Sequence, residues 1–434
     1  MTEKVDVVVV GAGLAGLGCA YHLASSGLEV LVVERGDYPG SKNVSGGRLY
    51  LEPVRPFYPD LLSPEALSQP PFERAVVRER LTIVADEGAT SVELLFPSLG
   101  GPLPHSVTIL RGTFDAWLAE QVTRHGGMVV PRYKVDDLIW EGERVAGIVS
   151  AGDEIRANVV AAADGALSFI AERAGLRQRH DPDHFALGMK EIIELPRDVL
   201  ENRFGLDSQQ GAAQLYFGSV SQGMLGGGFI YTNQESLSVG MVIGMGAMVE
   251  RGSALQAHEL LEAFKARPEV APLVAGGRLV EYSAHAIPEA AGQAMHRRVR
   301  DGLVVLGDAA GLALNMGVTV RGMDFALASG ALAARAILEA HKSGDYSERG
   351  LASYEAALQH SFVQRDLRTF ARMHTFLQNP RLYAAYPDLA VGLLEEMLHI
   401  SEGPKQGLFK TALRALRRVP ARHLLSDLWQ IRRL

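Results

Sequence analysis

The sequence predicts an α/β fold: a Rossmann-like dinucleotide-binding domain carrying an inserted β-rich domain, followed by a helical C-terminal region. Three observations predict it. A valine-rich run at residues 5–10 leads through Gly11-Ala12-Gly13-Leu14-Ala15-Gly16 into a helix-periodic stretch and a second apolar run, the order strand, glycine turn, helix, strand. Short β-branched and aromatic runs separated by glycine turns then recur as far as residue 245, and beyond Tyr346 the pattern is helical.

Each element has its own signal. Gly11 ends the first strand, and Leu14, Leu17, Gly18 and Tyr21 recur at helical spacing up to the stop Ser25-Ser26-Gly27. Residues 28–33 are a second buried strand. Residues 80–84 and 92–96 flank Asp86-Glu87-Gly88 as a hairpin. Residues 113–125 read as a helix with Thr113 as N-cap and Gly126-Gly127 at its end. Residues 128–162 read as a meander punctuated by Glu141-Gly142 and Gly152-Asp153, and residues 211–245 as a second sheet. Residues 303–306 form another short buried strand, and residues 321–341 a long helix starting near Gly322. The dinucleotide lobe is therefore expected in three pieces, 1–75, 111–180 and 290–345. The β-rich lobe takes 76–110 and 181–289, and the helical region 346–434.

Composition narrows the chemistry. The 434 residues are 47% hydrophobic, enough for a substantial core, and no run of eighteen apolar residues marks a membrane span. Charged residues Glu3, Lys4 and Asp6 enter the first strand directly, so a soluble cytoplasmic protein is expected rather than a secreted one. Cys19 is the single cysteine; it excludes a disulfide framework and a thiolate-ligated iron–sulfur cluster within these residues. It falls on the core side of the first helix and reads as a small buried hydrophobe. Net charge is −7, yet residues 401–434 hold eight Lys or Arg against Glu402 and Asp427, about +6 on a body of about −13. A basic end on an acidic body suits a polar partner or an anionic membrane surface. No nucleic-acid partner and no metal ligand set are expected.

The glycines carry the first chemistry. Gly11 permits a tight turn, Gly13 lets the backbone approach a pyrophosphate, and Gly16 lets helix and sheet pack closely. The helix N-terminus presents free N–H groups and a positive dipole end to phosphates. Glu34, eighteen residues past Gly16, ends the second strand, where a carboxylate accepts from both ribose hydroxyls. That much fits FAD or NAD. Three later segments favour FAD: Arg111-Gly112-Thr113-Phe114-Asp115, Asp164-Gly165, and Gly307-Asp308-Ala309-Ala310-Gly311 after a short strand. Asp308 is placed for the ribityl chain, and the helix starting near Gly322 would aim its N-terminus at the pyrimidine edge of the ring. Asp164 reads equally as a turn aspartate.

These segments, in this order, resemble the glutathione-reductase-type FAD fold in its hydroxylase-like branch. Three strings are more specific: Ser41-Lys42-Asn43-Val44-Ser45-Gly46-Gly47-Arg48-Leu49-Tyr50, Gly226-Gly227-Gly228-Phe229-Ile230-Tyr231-Thr232-Asn233, and Asn315-Met316-Gly317-Val318-Thr319-Val320-Arg321-Gly322-Met323-Asp324. They resemble the FixC flavoproteins of the electron-transfer flavoprotein:quinone oxidoreductase family, over nearly the whole chain. The resemblance implies that Arg35, Lys42, Gly46, Gly47, Asn315, Met316 and Gly317 join Gly11, Gly13, Gly16, Glu34, Arg111, Asp164, Gly307, Asp308 and Gly311 around FAD. It also implies electrons received from an electron-transfer flavoprotein of the FixA/FixB kind, a ferredoxin-like FixX subunit as partner, and quinone as acceptor. The related single-chain oxidoreductases carry their cluster domain in one polypeptide; the single cysteine here fits the FixC arrangement instead. Lack of a cysteine in the loop 41–48 weighs against a geranylgeranyl-reductase assignment.

Electron relay requires position, solvent exclusion and a tuned flavin, with no side-chain acid or base for the transfer itself. Quinone reduction consumes protons, and His285 is a candidate donor, a histidine bonded within its loop being the plainer reading. Gly227, Gly228, Phe229 and Tyr231 suit a flat ring or an isoprenoid tail, or else form a core strand with a glycine bend. Leu408, Leu413, Leu416 and Val419, set among the C-terminal arginines, suit a lipid surface, an acidic partner, or a solvated helix. Competing readings are a monooxygenase-like or geranylgeranyl-reductase-like enzyme acting on a small apolar substrate, and a scaffold with a structural flavin.

Overall fold

A computed structural model describes residues 3–43, 47–177, 181–252, 256–289, 295, 297–400, 402–432 and 434. Two sheets organise it. In the first, Leu303–Val305, Asp153–Ala162, Glu3–Val10, Val30–Val33 and Met128–Val130 lie side by side and parallel. Residues 7–10, 30–33, 159–162 and 303–305 are buried on both faces, which is why they read as continuous apolar runs rather than alternating ones, whereas Met128 and Val130 on the edge strand are exposed. Asp137–Glu141 and Arg144–Ser150 extend it as an antiparallel meander running into Asp153–Ala162.

Helices Leu14–Ala24 and Met323–Ser343 pack against this sheet and each other. Their approach requires a residue without a side chain, because a Cβ on Gly330 would lie 2.4 Å from the Ala15 carbonyl oxygen. Cys19 sits in this interface, completely buried, and burial pushes its thiol up to about 12, so it is inert packing as expected.

The second sheet has nine strands in the order Arg278–Pro288, Phe185–Glu194, Ser236–Gly244, Gly226–Thr232, Gln210–Gly218, Phe72–Val84, Ser106–Ile109, Gly47–Tyr50, with Ala89–Leu95 paired to Phe72–Val84. Only Gln210–Gly218 and Phe72–Val84 run parallel. Fully buried Arg74 binds the carbonyls of Gln210, Asn233 and Gln234 and the Glu201 carboxylate, tying three strands together. Gly47–Tyr50 and the start of Phe72–Val84 belong to this sheet, although they fall within the first piece expected for the dinucleotide lobe.

Two sequence expectations are corrected. The helix expected from Thr113 spans Arg111–Arg124, with Leu110 at the N-cap and no side-chain cap, because Arg111 and Asp115 make a stronger contact in its first turn. Val419 is 5% exposed and does not join the outward apolar row of Leu408, Leu413 and Leu416. The region after Tyr346 is helical as expected, from Glu348–His360 to Ala421–Ile431. Arg381 anchors that last helix by a bidentate pair to Asp427 at 2.8 and 2.6 Å.

Candidate functional site

A cavity of about 690 Å³ runs between the two sheets, with the glycine turn at one end and the Gly226–Thr232 strand at the other. It is lined by Gly11, Gly13, Glu34, Arg35, Lys42, Gly47, Arg111, Asp164, Asp308, Asn315 and Gly317, and also by Gly227, Gly228, Phe229, Tyr231 and His285. Residues from six separated stretches of chain therefore meet in one space. Gly16, Gly307, Gly311 and Met316 are not in its lining, and Gly46 lies outside the described residues.

The glycines divide their work. A Cβ on Gly16 would lie 2.1 Å from the Gly11 carbonyl oxygen, so Gly16 serves helix packing. Gly11 has φ +104 and turns the chain. A Cβ on Gly13 would meet nothing nearer than Arg111 Nη2 at 3.8 Å and Asn43 Nδ2 at 4.0 Å, so its bare backbone faces an open cradle walled by donors. The helix above begins at Leu14 with no side-chain cap and no acid in its first turn, leaving its dipole end to a ligand anion. Gly307 and Gly311, at φ +61 and +70, shape the turn that presents Asp308.

Glu34 accepts from Ala12 N–H at 2.9 Å and from Gly36 N–H at 2.6 Å. The two bonds hold its carboxylate at the cavity edge with lone pairs to spare for ribose hydroxyls. Arg111 is held by Asp115 through Nε–Oδ1 and Nη2–Oδ2, both 2.8 Å, and Asn43 Nδ2 donates to the same carboxylate at 2.6 Å. Asp115 is completely buried and orients both donors toward the cradle. The bare Gly13 backbone, an uncapped helix end, Arg35, Lys42 and Arg111, and a ribose-binding acid together fit a dinucleotide such as FAD.

Charges in the cavity are shifted by burial. Burial pushes Asp308 up to about 6, against the pull of Arg111 and Arg177. Asp164 is raised by burial, and its carboxylate accepts from Ser168 Oγ at 2.6 Å and Ile170 N–H at 3.0 Å, so it caps the short helix Phe169–Arg173 while facing the cavity. His285 is lowered by burial and by Arg35 and Arg111, which place it at the dinucleotide end. Lys190, on Phe185–Glu194, lines the cavity and is held well below its ordinary range by burial, with Arg111 adding to the effect. Glu289 is raised to about 7 by burial, its Asn315 hydrogen bond opposing.

At the far end the Phe229 and Tyr231 rings stack at 5.1 Å and an interplanar angle of 25°. Gly240 on the neighbouring strand gives Phe229 its place, since a Cβ there would sit 2.4 Å from the ring. Gly227 and Gly228 belong to the Gly226–Thr232 strand. They line the cavity, and their missing Cβ atoms answer to the Tyr216 carbonyl at 2.5 Å and the Phe264 ring at 2.5 Å. Sequence reasoning gave no role of their own to Asp115, Lys190, Glu289 and Tyr383. Asp115 had a signal in its spacing of four from Arg111; the others have none, because burial alone distinguishes them.

Residues 6–78 match the model for FAD dependent oxidoreductases, residues 185–287 the ubiquinone-binding model of ETF-QO, and residues 373–434 the C-terminal domain model of the ETF-QO/FixC family. The chain is 41% identical over 428 residues to Protein FixC of Escherichia coli O157:H7, covering 98% of each. It is 39% identical over 425 residues to the probable electron transfer flavoprotein-quinone oxidoreductase YdiS of Escherichia coli K12, covering 98% of this chain and 97% of that one. A geranylgeranyl bacteriochlorophyll reductase-like protein from Thermoplasma acidophilum shares the fold, with a TM-score of 0.73 at 21% identity over 98% of this chain and 100% of that one.

Proposed function

Because the chain belongs to the ETF-QO/FixC family, we propose that it takes electrons from a FixA/FixB-type electron-transfer flavoprotein and works with a small FixX-like ferredoxin. It is an FAD-dependent oxidoreductase that carries electrons toward quinone. The observation that supports the reading is one continuous cavity from the Gly13 cradle to the Phe229–Tyr231 pair, with room for a flavin and an acceptor side by side. Bound FAD supplies the electron store. The chain binds its phosphates through Gly13, Arg111 and Lys42, its ribose through Glu34, and its ribityl chain through Asp308. The second sheet, with Leu377 and Tyr383 from the C-terminal region, walls the acceptor end.

One cysteine cannot ligate an iron–sulfur cluster, which supports a cluster on a partner. No helix among the described residues is long and apolar enough to cross a membrane. The exposed Leu408, Phe409, Leu413 and Leu416, set among Lys410, Arg414 and Arg417, suit contact with an anionic membrane surface. The test is anaerobic. FAD in the purified chain is to be reduced through a FixA/FixB-type flavoprotein with NADH and reoxidised by a short-chain ubiquinone analogue. NADPH oxidation by the chain alone, with an apolar small molecule hydroxylated or reduced, would instead support the monooxygenase-like or reductase-like reading.

A further inference from the structure

We propose that Glu289 is the proton donor for quinone reduction, delivering its carboxyl proton to a carbonyl oxygen of a quinone held between the Gly226–Thr232 strand and Tyr383. The inference rests on the quinone reading above and supplies a residue for it. Glu289 follows the strand Arg278–Pro288, and its N–H donates to the His184 carbonyl at 2.8 Å, which anchors the backbone. Its side chain is 4% exposed and lines the cavity together with Gly226, Gly227, Leu377 and Tyr383.

Its surroundings favour the protonated form. The Asn315 amide is oriented by Gly317 N–H donating to Oδ1 at 2.8 Å, so Nδ2 faces Glu289, at 3.2 and 3.4 Å from its two oxygens. Among the described residues no cation pairs with this carboxylate in a salt bridge. One long amide bond does not offset the cost of burying an ionised carboxylate, and the group accordingly stays protonated up to about pH 7. The titratable groups on the elements around it are Arg278, Glu281, Tyr282 and His285 on the preceding strand, Asp183 and His184 in the turn 182–184, His374 on Met373–Leu377, and Arg381 and Tyr383 in Pro380–Tyr383. Arg381 is committed to Asp427, and the Tyr383 hydroxyl donates to the Leu377 carbonyl at 2.7 Å. Tyr231 is held protonated by burial, and His285 lies beside two arginines that disfavour its cationic form. Asp308, raised to about 6, faces Arg111 and Arg177, and Asp164 is bonded to Ser168 and Ile170, both at the dinucleotide end; Glu289 is the near-neutral acid beside Gly226 and Tyr383.

The balance is simple. Two electrons pass from reduced flavin to the quinone, whose two carbonyl oxygens gain two protons. The Glu289 O–H bond breaks as one quinol O–H forms, and the second quinol proton comes from solvent; the protons that the flavin releases on oxidation return to solvent, from which the carboxylate is reprotonated.

The experiment uses the FAD-loaded full chain. Glu289→Gln keeps the shape and the contact with Asn315 but carries no acidic proton. We expect the variant to hold FAD and to pass electrons to ferricenium, which takes up no proton, at the wild-type rate. Reduction of a short-chain ubiquinone analogue should fall by about 100-fold. The wild-type quinone rate should decline as pH rises through about 7, and the variant should lack that step. Infrared difference spectra of the wild type should show a protonated carboxyl band that disappears over the same range. An unchanged quinone rate in Glu289→Gln, or no such band in the wild type at pH 6, overturns the proposal, the second even if the variant does not fold. Failure of the wild type itself to reduce the quinone would instead overturn the quinone reading.

Discussion

Arg111 and Asp115, one helical turn apart, form a two-pronged pair in which the carboxylate is completely buried and the guanidinium opens onto the cavity. The pair replaces a conventional N-cap at the start of Arg111–Arg124, and the same carboxylate holds Asn43. One buried acid thus fixes two donors beside the Gly13 backbone.

Removing that acid should cost both fold and cofactor. Asp115→Ala leaves Arg111 without its charge partner in a buried setting, a loss of about 3–5 kcal/mol. FAD affinity should fall by at least about tenfold as the two donors lose their orientation. Urea unfolding and fluorescence titration of FAD measure the two effects separately. Unchanged FAD affinity would remove Asp115 from the site.

Gly13 and Gly16 should respond in opposite ways. At Gly16 the added methyl collides with the Gly11 carbonyl at 2.1 Å, so Gly16→Ala should destabilise the protein by about 1–3 kcal/mol. At Gly13 the backbone is extended, φ −90 and ψ −179, and the methyl meets nothing within 3.8 Å. Gly13→Ala should therefore unfold within about 1 kcal/mol of wild type, while FAD binding is lost to the blocked phosphate approach. Equal effects of the two changes on stability would refute the division of roles.

Much of this site was legible in the sequence because covalent spacing encodes it. The strand–turn–helix order around Gly11, Gly13 and Gly16 and the acid at Glu34 are local, and the structure places Gly13 and Glu34 at the cavity edge. What spacing does not encode is burial. Glu289 and Lys190 look like ordinary charged residues in a strand-forming stretch, and only the packing of two sheets and the C-terminal helices around them shifts their titration. Thr113 misled for a related reason, since a capping residue was expected where the Arg111–Asp115 pair starts the helix earlier.

Glu34→Ala should weaken FAD retention by about 1.5–3 kcal/mol through loss of paired hydrogen bonds. The structure adds a second consequence. The same carboxylate receives Ala12 N–H and Gly36 N–H, so its loss also loosens the glycine turn. Glu34→Gln offers one carbonyl oxygen and should retain more affinity than the alanine variant. Equilibrium dialysis against FAD orders the three proteins, and retention by Glu34→Ala equal to wild type would refute the ribose role.

Glu289 should also set part of the pH dependence of stability. Its folded value is raised from the ordinary 4.5 to about 7, so the folded state binds this proton more tightly than the unfolded chain. That contribution is fully present below about 4.5 and is lost as pH rises through about 7. At most about 3 kcal/mol is at stake. Glu289→Gln cannot titrate, so relative to wild type it should gain stability between pH 4.5 and pH 8 by up to that amount. Urea unfolding of both proteins, saturated with FAD at each pH, cancels the contribution of every other titrating group. Parallel stability curves for the two proteins across that range would mean that the carboxyl is not held protonated by its burial.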